Sequence, residues 1–352
     1  MVQMVLESPS RQRQAEHFCQ SILPDVSRTF ALSIRFLPGH LGRAVLTAYL
    51  ICRIADTLED DPGSSAERKI CLLDRFMECF DDSTAANAFP GVAGSVSGDA
   101  AHVRLVHNTD LVFTMFRLLP GPTQQIVRRW VDEMVRGMQK FVGLYPQGIR
   151  IQTLSEYGDY CYYVAGTVGH LLTDLWHEHS ANVGKSEYEH LLKKCEAFGE
   201  ALQTVNILKD IAWDVEHENA IYIPEQSLMT YGSSQKTLLS PARVEQNRAA
   251  LDSLIELARS DLDDALEYLL LIPRLAVPIR LFCILPLLFA HATLRELENS
   301  TAMLQSGGSV KISRDEVRSL ILAGCVSVLS NRGVRRLVTR VRRGPFVLGT
   351  PH

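Results

Sequence analysis

The chain has 352 residues, of which 46% are hydrophobic and 22% are charged, and its formal net charge is −4. This is the composition of an ordinary globular protein with enough length for a large core, and the slight negative charge argues against general nucleic-acid binding. Eight scattered cysteines form no Cys-x-x-Cys pair, which argues against a zinc or disulfide framework and favours buried thiols in a reducing cytoplasm.

Apolar residues recur at helical spacing through most of the sequence, and runs of alternating polar and apolar residues are missing. We therefore predict an all-α protein. No clear linker interrupts the chain, so residues 1–352 are interpreted as a single domain. Flexible tails are expected at about 1–17 and 345–352, and a mobile surface loop is expected at 83–101, where glycine and small polar residues are frequent.

The first informative polar pattern is Ser27-Arg28-Thr29-Phe30. Ser27 is a candidate helix N-cap, which places Arg28 in the first helical turn, where a positive charge is slightly unfavourable. An arginine at such a position is a candidate ligand for a phosphate group. The alternative is an ordinary surface arginine.

The run from Tyr49 to Asp60 contains neither Pro nor Gly and is predicted to be helical. Asp56 and Asp60 lie one turn apart on the same face, with Glu59 close by, and like charges at this spacing repel each other. Mg²⁺ would remove this repulsion, because it prefers carboxylate oxygens and is usually held by one or two carboxylates plus substrate phosphate. Tyr49 and Arg53 extend the same stripe toward the N-terminus. The alternative is a solvated helix end.

The run from Tyr160 to Gly169 combines tyrosines with small residues. On a helix, Ala165, Gly166 and Gly169 would leave one face nearly bare. Such a face admits either an elongated apolar ligand or, more commonly, a second helix.

A second acidic pair follows, because Asp210 and Asp214 repeat the same spacing on another apolar helix. Gln203 and Asn206 lie upstream on roughly the same face, and Lys209 adjoins Asp210. Two helices that each carry such a pair are expected to face each other across a cavity that holds Mg²⁺ and a diphosphate. The candidate metal ligands are Asp56, Glu59, Asp60, Asn206, Asp210 and Asp214.

The most apolar segment, Leu281–Ala290, spans about half the length that a bilayer requires and contains Pro286, so we predict a buried helix and no transmembrane helix. Near the C-terminus, arginines alternate with aliphatic residues in a helical pattern. This pattern predicts peripheral contact with an anionic membrane surface, with a solvated basic tail as the alternative. The arginines are Arg332, Arg335, Arg336, Arg340, Arg342 and Arg343.

These patterns resemble the squalene/phytoene synthase family of head-to-head prenyltransferases over most of the chain, from about Ser27 to about Arg314. The resemblance implies the isoprenoid synthase fold, a single bundle of helices around a deep central cavity. It also implies that two farnesyl diphosphates condense to presqualene diphosphate with Mg²⁺, and that NADPH then reduces this product to squalene. The stretches that carry the resemblance are Ser27–Phe30, the two acidic motifs, the Tyr160–Gly169 run and Val310-Lys311-Ile312-Ser313-Arg314. In the last of these, either one residue is inserted before the family's arginine or Ser313 replaces that arginine.

The same resemblance implies roles for individual residues. The implied diphosphate ligands are Arg28, Arg53, Gln203, Asn206 and Lys209. The implied catalytic residues are Tyr160, Tyr49, Arg53 and Phe282. The ring of Phe282 would shield a carbocation, and core packing is the alternative. The implied NADPH contacts are Lys311 and Arg314. Two residues of the second acidic motif depart from the family pattern. Trp213 stands where the family commonly has glutamate, and Lys209 replaces the usual arginine. Because of these departures, the number of metal ions at this motif is left open. The alternatives are an enzyme that stops at presqualene diphosphate or makes phytoene, and a helical scaffold without catalytic activity.

Overall fold

The computed structural model describes residues 8–349, and all regular elements in this range are helical. An isolated parallel bridge joins Arg150 to Ile221. The prediction of an all-α protein is therefore confirmed. The chain divides into two compact units, one ending at Pro146 and the other beginning at Gln147. The single-domain interpretation stays a prediction.

Short polar residues begin most helices of the first unit, because their side chains satisfy backbone N–H groups that have no partner within the helix. Ser8, Ser27, Ser65, Asp82 and Asp99 each accept such a hydrogen bond. The helices are α1 (Pro9–Val26), α2 (Arg28–Ile34), α3 (Gly39–Glu59), α4 (Ala66–Glu78), α5 (Ser83–Val92), α6 (Ala100–Val106), α7 (Thr109–Arg117) and α8 (Gly121–Leu144).

Helix α3 is the centre of the first unit. Leu50, Ile51 and Ile54 on α3 have no exposed surface, and the helix packs against α1, α4, α6, α7 and α8. A cluster of phenylalanine rings with centroids 4.9–6.2 Å apart joins α4, α5 and α7. Burial of such side chains stabilises the unit by roughly 1.5–3 kcal/mol each. The cluster consists of Phe76, Phe80, Phe89, Phe113 and Phe116.

The segments expected to be flexible are folded wherever the structure describes them. The N-terminal tail is helical from Pro9 onward, because Ser8 caps α1. Helix α5 occupies much of the expected loop at 83–101 and buries Phe89 in the phenylalanine cluster. Near the C-terminus, Phe346 is buried and its backbone N–H is hydrogen-bonded to a carboxylate. The ends of the two predicted tails, residues 1–7 and 350–352, lie outside the described range.

The second unit contains longer helices and two π-helical turns, which follow α9 and α12 directly. Helices α12 and α14 pack along each other, and α15 packs against both. The α-helices are α9 (Leu154–Cys161), α10 (Thr167–His179), α11 (Lys185–Leu191), α12 (Cys195–Trp213), α13 (Glu225–Thr230), α14 (Val244–Leu271), α15 (Val277–Glu298), α16 (Arg314–Ser327) and α17 (Asn331–Arg343). The π-helical turns are Tyr162–Gly166 and Asp214–Glu218, and short 3-10 turns are Gln235–Thr237, Pro241–Arg243 and Ala302–Leu304.

The small residues after Tyr160 serve helix packing. A Cβ atom on Gly169 would lie 1.9 Å from the carbonyl oxygen of Cys195, which begins α12. A Cβ atom on Gly199 of α12 would lie equally close, at 1.9 Å, to the carbonyl oxygen of Ala165. Both positions therefore need glycine, because the two backbones touch. Of the two interpretations of the bare face, the second helix accounts for these contacts.

Helix α15 is buried, as the sequence predicts, although it is longer than the apolar segment that marked it. Among the described residues it is the one helix that is long and apolar enough to cross a membrane by length and composition, and 72% of its most apolar window is buried inside the protein. Phe282 on α15 packs edge-on against Trp176. Nε1 of Trp176 donates to the hydroxyl of Tyr268 at 3.0 Å, and this hydroxyl shares a second hydrogen bond with that of Thr173 at 2.7 Å. These contacts make α15 a core helix.

Candidate active site

The stripe predicted on α3 forms in the structure. Nη2 of Arg53 donates to the hydroxyl of Tyr49 at 3.4 Å, and Nη1 lies 3.5 Å from Oδ2 of Asp56. Both contacts are long, so they use little of the hydrogen-bonding capacity of the guanidinium. The Nε atom of Arg53 is buried and has no hydrogen-bond partner among the described residues. Arg53 is therefore held in place with donors to spare for an anion.

Electrostatics at this stripe favour a cation beside Asp56. Burial raises the pKa of the Asp56 carboxyl group, and Arg53 opposes this shift. Burial alone would lower the pKa of Arg53, but Tyr49, Asp56 and Asp60 more than offset this, so Arg53 stays charged. A desolvated carboxylate with one distant cation gains from a second cation, so the oxygen donors of this helix end fit Mg²⁺.

Asp61, which the sequence analysis missed, fastens the end of the first acidic motif. It is 1% exposed and accepts four hydrogen bonds, from Ser64 Oγ at 2.6 Å, Gly63 N at 3.0 Å, and Ser97 N and Oγ at 3.2 and 2.6 Å. Burial would raise the pKa of Asp61, but these hydrogen bonds hold it below its ordinary value. The acidic residue before a Pro-Gly-Ser-Ser turn was the available signal.

Of the remaining first-unit candidates, Glu59 and Asp60 lie at this same end of α3, whereas Arg28 lies on α2. Glu59 is 4% exposed, and its carbonyl oxygen accepts from Lys69 Nζ at 2.5 Å. Asp60 caps the C-terminus of α3. Ser27 caps α2 as predicted, with Arg28 exposed in the first turn. The ring of Phe30 on α2 lies 5.4 Å from that of Tyr49, so α2 lies beside the upstream end of the stripe.

The second acidic motif spans the end of α12 and a π-helical turn in the second unit. Nζ of Lys209 lies 3.0 Å from Oδ2 of Asp210 and donates to Oδ1 of Asn206 at 3.4 Å. Asp214 is 8% exposed. Burial, together with the charges of Glu218 and Asp210, raises the pKa of Asp214 to about 9, and Lys209 opposes this shift. A divalent cation would let Asp214 ionise, so this donor set also fits Mg²⁺.

Trp213 supplies no ligand atom to this motif. It is 54% exposed, and its ring stacks on that of His217 with centroids 3.8 Å apart. Gln203 is half-buried one helical turn upstream of Asn206. Within residues 8–349, no three His, Cys, Asp or Glu side chains come close enough to form a metal site by themselves. The number of metal ions at this motif stays a prediction.

Tyr160 is buried against a second tyrosine. Its hydroxyl donates to that of Tyr222 at 3.2 Å, and the two rings stack with centroids 4.8 Å apart. Tyr222 is positioned by its neighbour Ile221, whose N–H donates to the carbonyl of Ile149 at 2.8 Å. The π-helical turn Tyr162–Gly166 begins two residues after Tyr160. Such turns occur frequently at functional sites.

The other second-unit candidates fall in two places. Phe282 is 1% exposed in the core, where packing accounts for its position, and its role toward a carbocation stays a prediction. Lys311 and Arg314 are both exposed on either side of Ser313, which caps α16 by accepting from Glu316 N at 3.1 Å. Two exposed cations at a helix N-terminus fit the phosphates of a nucleotide.

The two acidic motifs lie in different units, so the prediction that they face each other stays a prediction. What the structure establishes is the local geometry of each motif. In each, the first aspartate has a cation from its own helix, Arg53 or Lys209.

Comparison with known proteins gives consistent matches. The sequence model of the squalene/phytoene synthase family matches residues 23–316. The Botryococcus squalene synthase of Botryococcus braunii is 29% identical over 313 residues, covering 87% of this chain and 62% of the relative. The squalene synthase of Schizosaccharomyces pombe is 28% identical over 307 residues, covering 86% of this chain and 64% of the relative. The chain thus spans less than two thirds of the length of either relative.

A solved structure shows the same fold. The complex of TcSQS with the ligand BPH1237 superimposes with a TM-score of 0.78 at 23% sequence identity, covering 95% of this chain and 98% of that chain. The predicted isoprenoid synthase fold is therefore confirmed.

Proposed function

The chain belongs to the squalene/phytoene synthase family, and from this premise we propose that it is a Mg²⁺-dependent squalene synthase. It would condense two farnesyl diphosphates head to head into presqualene diphosphate and reduce this product to squalene with NADPH. The observation that carries the proposal is the pair of acidic motifs, each with two aspartates one helical turn apart. Arg53 lies 3.5 Å from Asp56, and Lys209 lies 3.0 Å from Asp210.

Departure of diphosphate requires neutralisation of the negative charge that develops on the leaving group. Arg53 suits this role, because its Nε is buried without a partner among the described residues and its neighbours keep it charged. Arg28 is exposed and free to add a second positive charge. Lys209 and Asn206 offer donors at the second motif, where Gln203 is a further ligand.

Mg²⁺, when bound, supplies the remaining positive charge on the leaving diphosphate. Its ligands would be the carboxylates of both motifs together with Asn206. The raised pKa of Asp214 supports this assignment, because an ionised Asp214 beside Asp210 and Glu218 needs a compensating cation. Tyr160 would donate its phenolic proton to the departing diphosphate or stabilise a carbocation with its ring. Tyr49 would hold Arg53 in position.

The reduction step is assigned to Lys311 and Arg314, whose positive charges suit the phosphates of NADPH. An enzyme that stops at presqualene diphosphate, or that makes phytoene, would need the acidic motifs but no nicotinamide. The exposed pair at the start of α16 is the feature that favours the reducing enzyme.

Product analysis tests this proposal. The purified chain is incubated with farnesyl or geranylgeranyl diphosphate and Mg²⁺, with and without NADPH, and the extracts are separated by gas chromatography. We expect squalene from farnesyl diphosphate only when NADPH is present. If presqualene diphosphate is the product with or without NADPH, the enzyme stops at that compound. If geranylgeranyl diphosphate gives phytoene, the chain is a phytoene synthase. A scaffold would release no diphosphate in a Mg²⁺-dependent manner.

We also propose that the protein works in the cytoplasm as a peripheral membrane protein. All eight cysteines are free thiols. Burial raises the pKa of Cys19 and Cys161 to about 12, so these thiols stay protonated and unreactive. Squalene is insoluble in water, so a surface that contacts lipid would help the product to leave.

A further inference from the structure

Helix α17 presents one strongly basic face. An open groove of about 710 Å³ along this helix is lined by arginines together with Thr339, Gly344 and Pro345. The aliphatic residues of α17 are buried, so they cannot enter a membrane as the sequence pattern suggested. We call the exposed arginines the arginine face; they are Arg332, Arg335, Arg336, Arg340 and Arg343.

The arginine face has little countercharge. Arg335 pairs with Glu267 at 2.9 and 3.1 Å, and such an exposed pair contributes little. The other four arginines have no carboxylate within ion-pair distance among the described residues. Arg342 differs, because it is half-buried and bound to Asp263 and His291. Four uncompensated guanidinium groups on one short helix repel each other, and a polyanionic surface would relieve that repulsion.

Exposed aliphatic side chains occur in the loop before α15 and around the end of α16, which directly precedes α17 in the chain. Leu275 is 80% exposed, Val326 is 77% exposed and Leu329 is 59% exposed. Leu322, also exposed, precedes Val326 by one helical turn, so these residues of α16 form one row. Isolated apolar residues are common on surfaces, but a group of them rimmed by charge marks an interaction site. We call Leu275, Val326 and Leu329 the aliphatic edge.

A buried arginine holds the two features together. Arg280 has no exposed surface, and its guanidinium donates to the carbonyl of Val328 at 2.8 Å, the carbonyl of Ile272 at 2.6 Å and Oδ1 of Asn331 at 2.8 Å. One side chain thus fixes the loop before α15, the end of α16 and the start of α17. Each of these partners is next in sequence to an exposed residue: Val328 to Leu329, Ile272 to Leu271, and Asn331 to Arg332.

We propose that the arginine face and the aliphatic edge together form a docking surface for an anionic lipid bilayer. The arginines would bind lipid phosphates, and the aliphatic edge would enter the region between headgroups and acyl chains. A free polyphosphate would engage the arginines but leave the aliphatic edge in water. A second copy of the chain, packed symmetrically, would bring like charges together. This proposal rests on the peripheral membrane contact proposed above and gives it a defined surface.

Vesicle co-sedimentation of the full chain tests the proposal. The vesicles contain phosphatidylcholine alone or with phosphatidylserine. We expect salt-sensitive binding to the anionic vesicles and at least tenfold weaker binding when Arg332, Arg336, Arg340 and Arg343 are all replaced by Gln. Replacement of the same four by Lys should retain binding, because the positive charge is kept. Replacement of Leu275, Val326 and Leu329 by Ser should also weaken binding severalfold.

A control with the same change in net charge replaces by Gln four exposed arginines of the first unit that are each paired with a carboxylate, Arg75, Arg104, Arg128 and Arg136. If this control loses as much binding as the arginine-face variant, net charge explains the result and the docking surface is wrong. If the Ser variant binds vesicles as well as the original chain does, and inorganic polyphosphate displaces the protein from them, the arginine face is instead a site for free anions. Farnesyl diphosphate turnover in detergent, measured alongside, tests the enzyme assignment separately, because a vesicle-binding defect with normal turnover concerns docking alone.

Discussion

The hydroxyl of Tyr160 donates a hydrogen bond to that of Tyr222 across 3.2 Å, while their rings stack with centroids 4.8 Å apart. The phenol that the family resemblance marks as catalytic therefore has a fixed partner that follows the second acidic motif in the chain. In this geometry the Tyr160 proton points to Tyr222, so Tyr222 sets the orientation of the group that would give up the proton.

We expect Tyr160→Phe to lower the rate of diphosphate release by about 10²-fold, which is typical for removing a general acid. Tyr222→Phe should cost less, because the stacked ring stays and only the accepting oxygen is lost. Both rates are measured with farnesyl diphosphate at saturating Mg²⁺. A Tyr160→Phe rate within twofold of the original would exclude the proton-donor role, and Tyr163→Phe is the matched control.

Asp214→Asn should separate folding from catalysis. Because burial and neighbouring acids raise the pKa of Asp214 to about 9, the carboxyl group is neutral at pH 7 without a cation, and Asn resembles this state. The Tm in EDTA should therefore change little. The increase in Tm with Mg²⁺ and diphosphate should disappear, and release should slow by orders of magnitude. Glu216→Gln, which changes an exposed carboxylate on the same π-helical turn, is the control; an equal loss there would contradict this assignment.

Local patterns predicted the features that depend on helical periodicity. The stripe Tyr49–Arg53–Asp56 follows from a period of 3.6 residues, and the structure shows the expected contacts. The Ser27 cap was predictable for the same reason, since capping depends on neighbours in sequence. The bare face after Tyr160 left two interpretations, and only the close approach of Cys195 decides between them.

Features that depend on distant residues were not predictable. Asp61 receives two of its four hydrogen bonds from Ser97, which no local pattern connects to the acidic motif. Arg280 precedes an apolar segment in the sequence, yet it is fully buried, because three backbone oxygens and one side-chain oxygen accept hydrogen bonds from its guanidinium. The π-helical turn at Asp214 likewise has no period that a sequence pattern reveals.

Asp61→Ala should destabilise the protein and disturb the first motif. Loss of the buried carboxylate removes the charged acceptor of four hydrogen bonds from Gly63, Ser64 and Ser97, which we expect to cost about 2–3 kcal/mol of unfolding free energy. Asp61→Asn keeps one acceptor and should cost less. Release of diphosphate should fall for Ala and recover partly for Asn, measured beside urea unfolding. A fully active, fully stable Ala variant would rule out the positioning role.

His291 should make the second unit acid-sensitive. Burial and the neighbouring Arg342 lower its pKa to about 3, whereas in the unfolded chain it is about 6.5. Between these values the unfolded state binds the proton and the folded state does not, so stability falls as pH falls below about 6.5. At pH 5 the loss relative to pH 7 should be about 2 kcal/mol. His291→Gln should lack this loss, and the exposed control His190→Gln should keep it; parallel pH profiles for all three proteins would contradict the assignment.

Lys311 and Arg314 should matter only for reduction. Their charge suits NADPH phosphates, and the condensation needs no nicotinamide, so replacing both with Ala should leave farnesyl diphosphate consumption nearly normal. The product should shift from squalene to presqualene diphosphate or to alcohols formed by water. Ser313 caps α16 and Glu316 is paired with Arg295 at 2.9 Å, so the helix start should survive the change.

The measurement is the product ratio against NADPH concentration, with Lys185→Ala/Arg318→Ala as a charge-matched control. If the curve for the double variant coincides with that of the original chain, these two residues form a solvated turn and NADPH binds elsewhere or not at all.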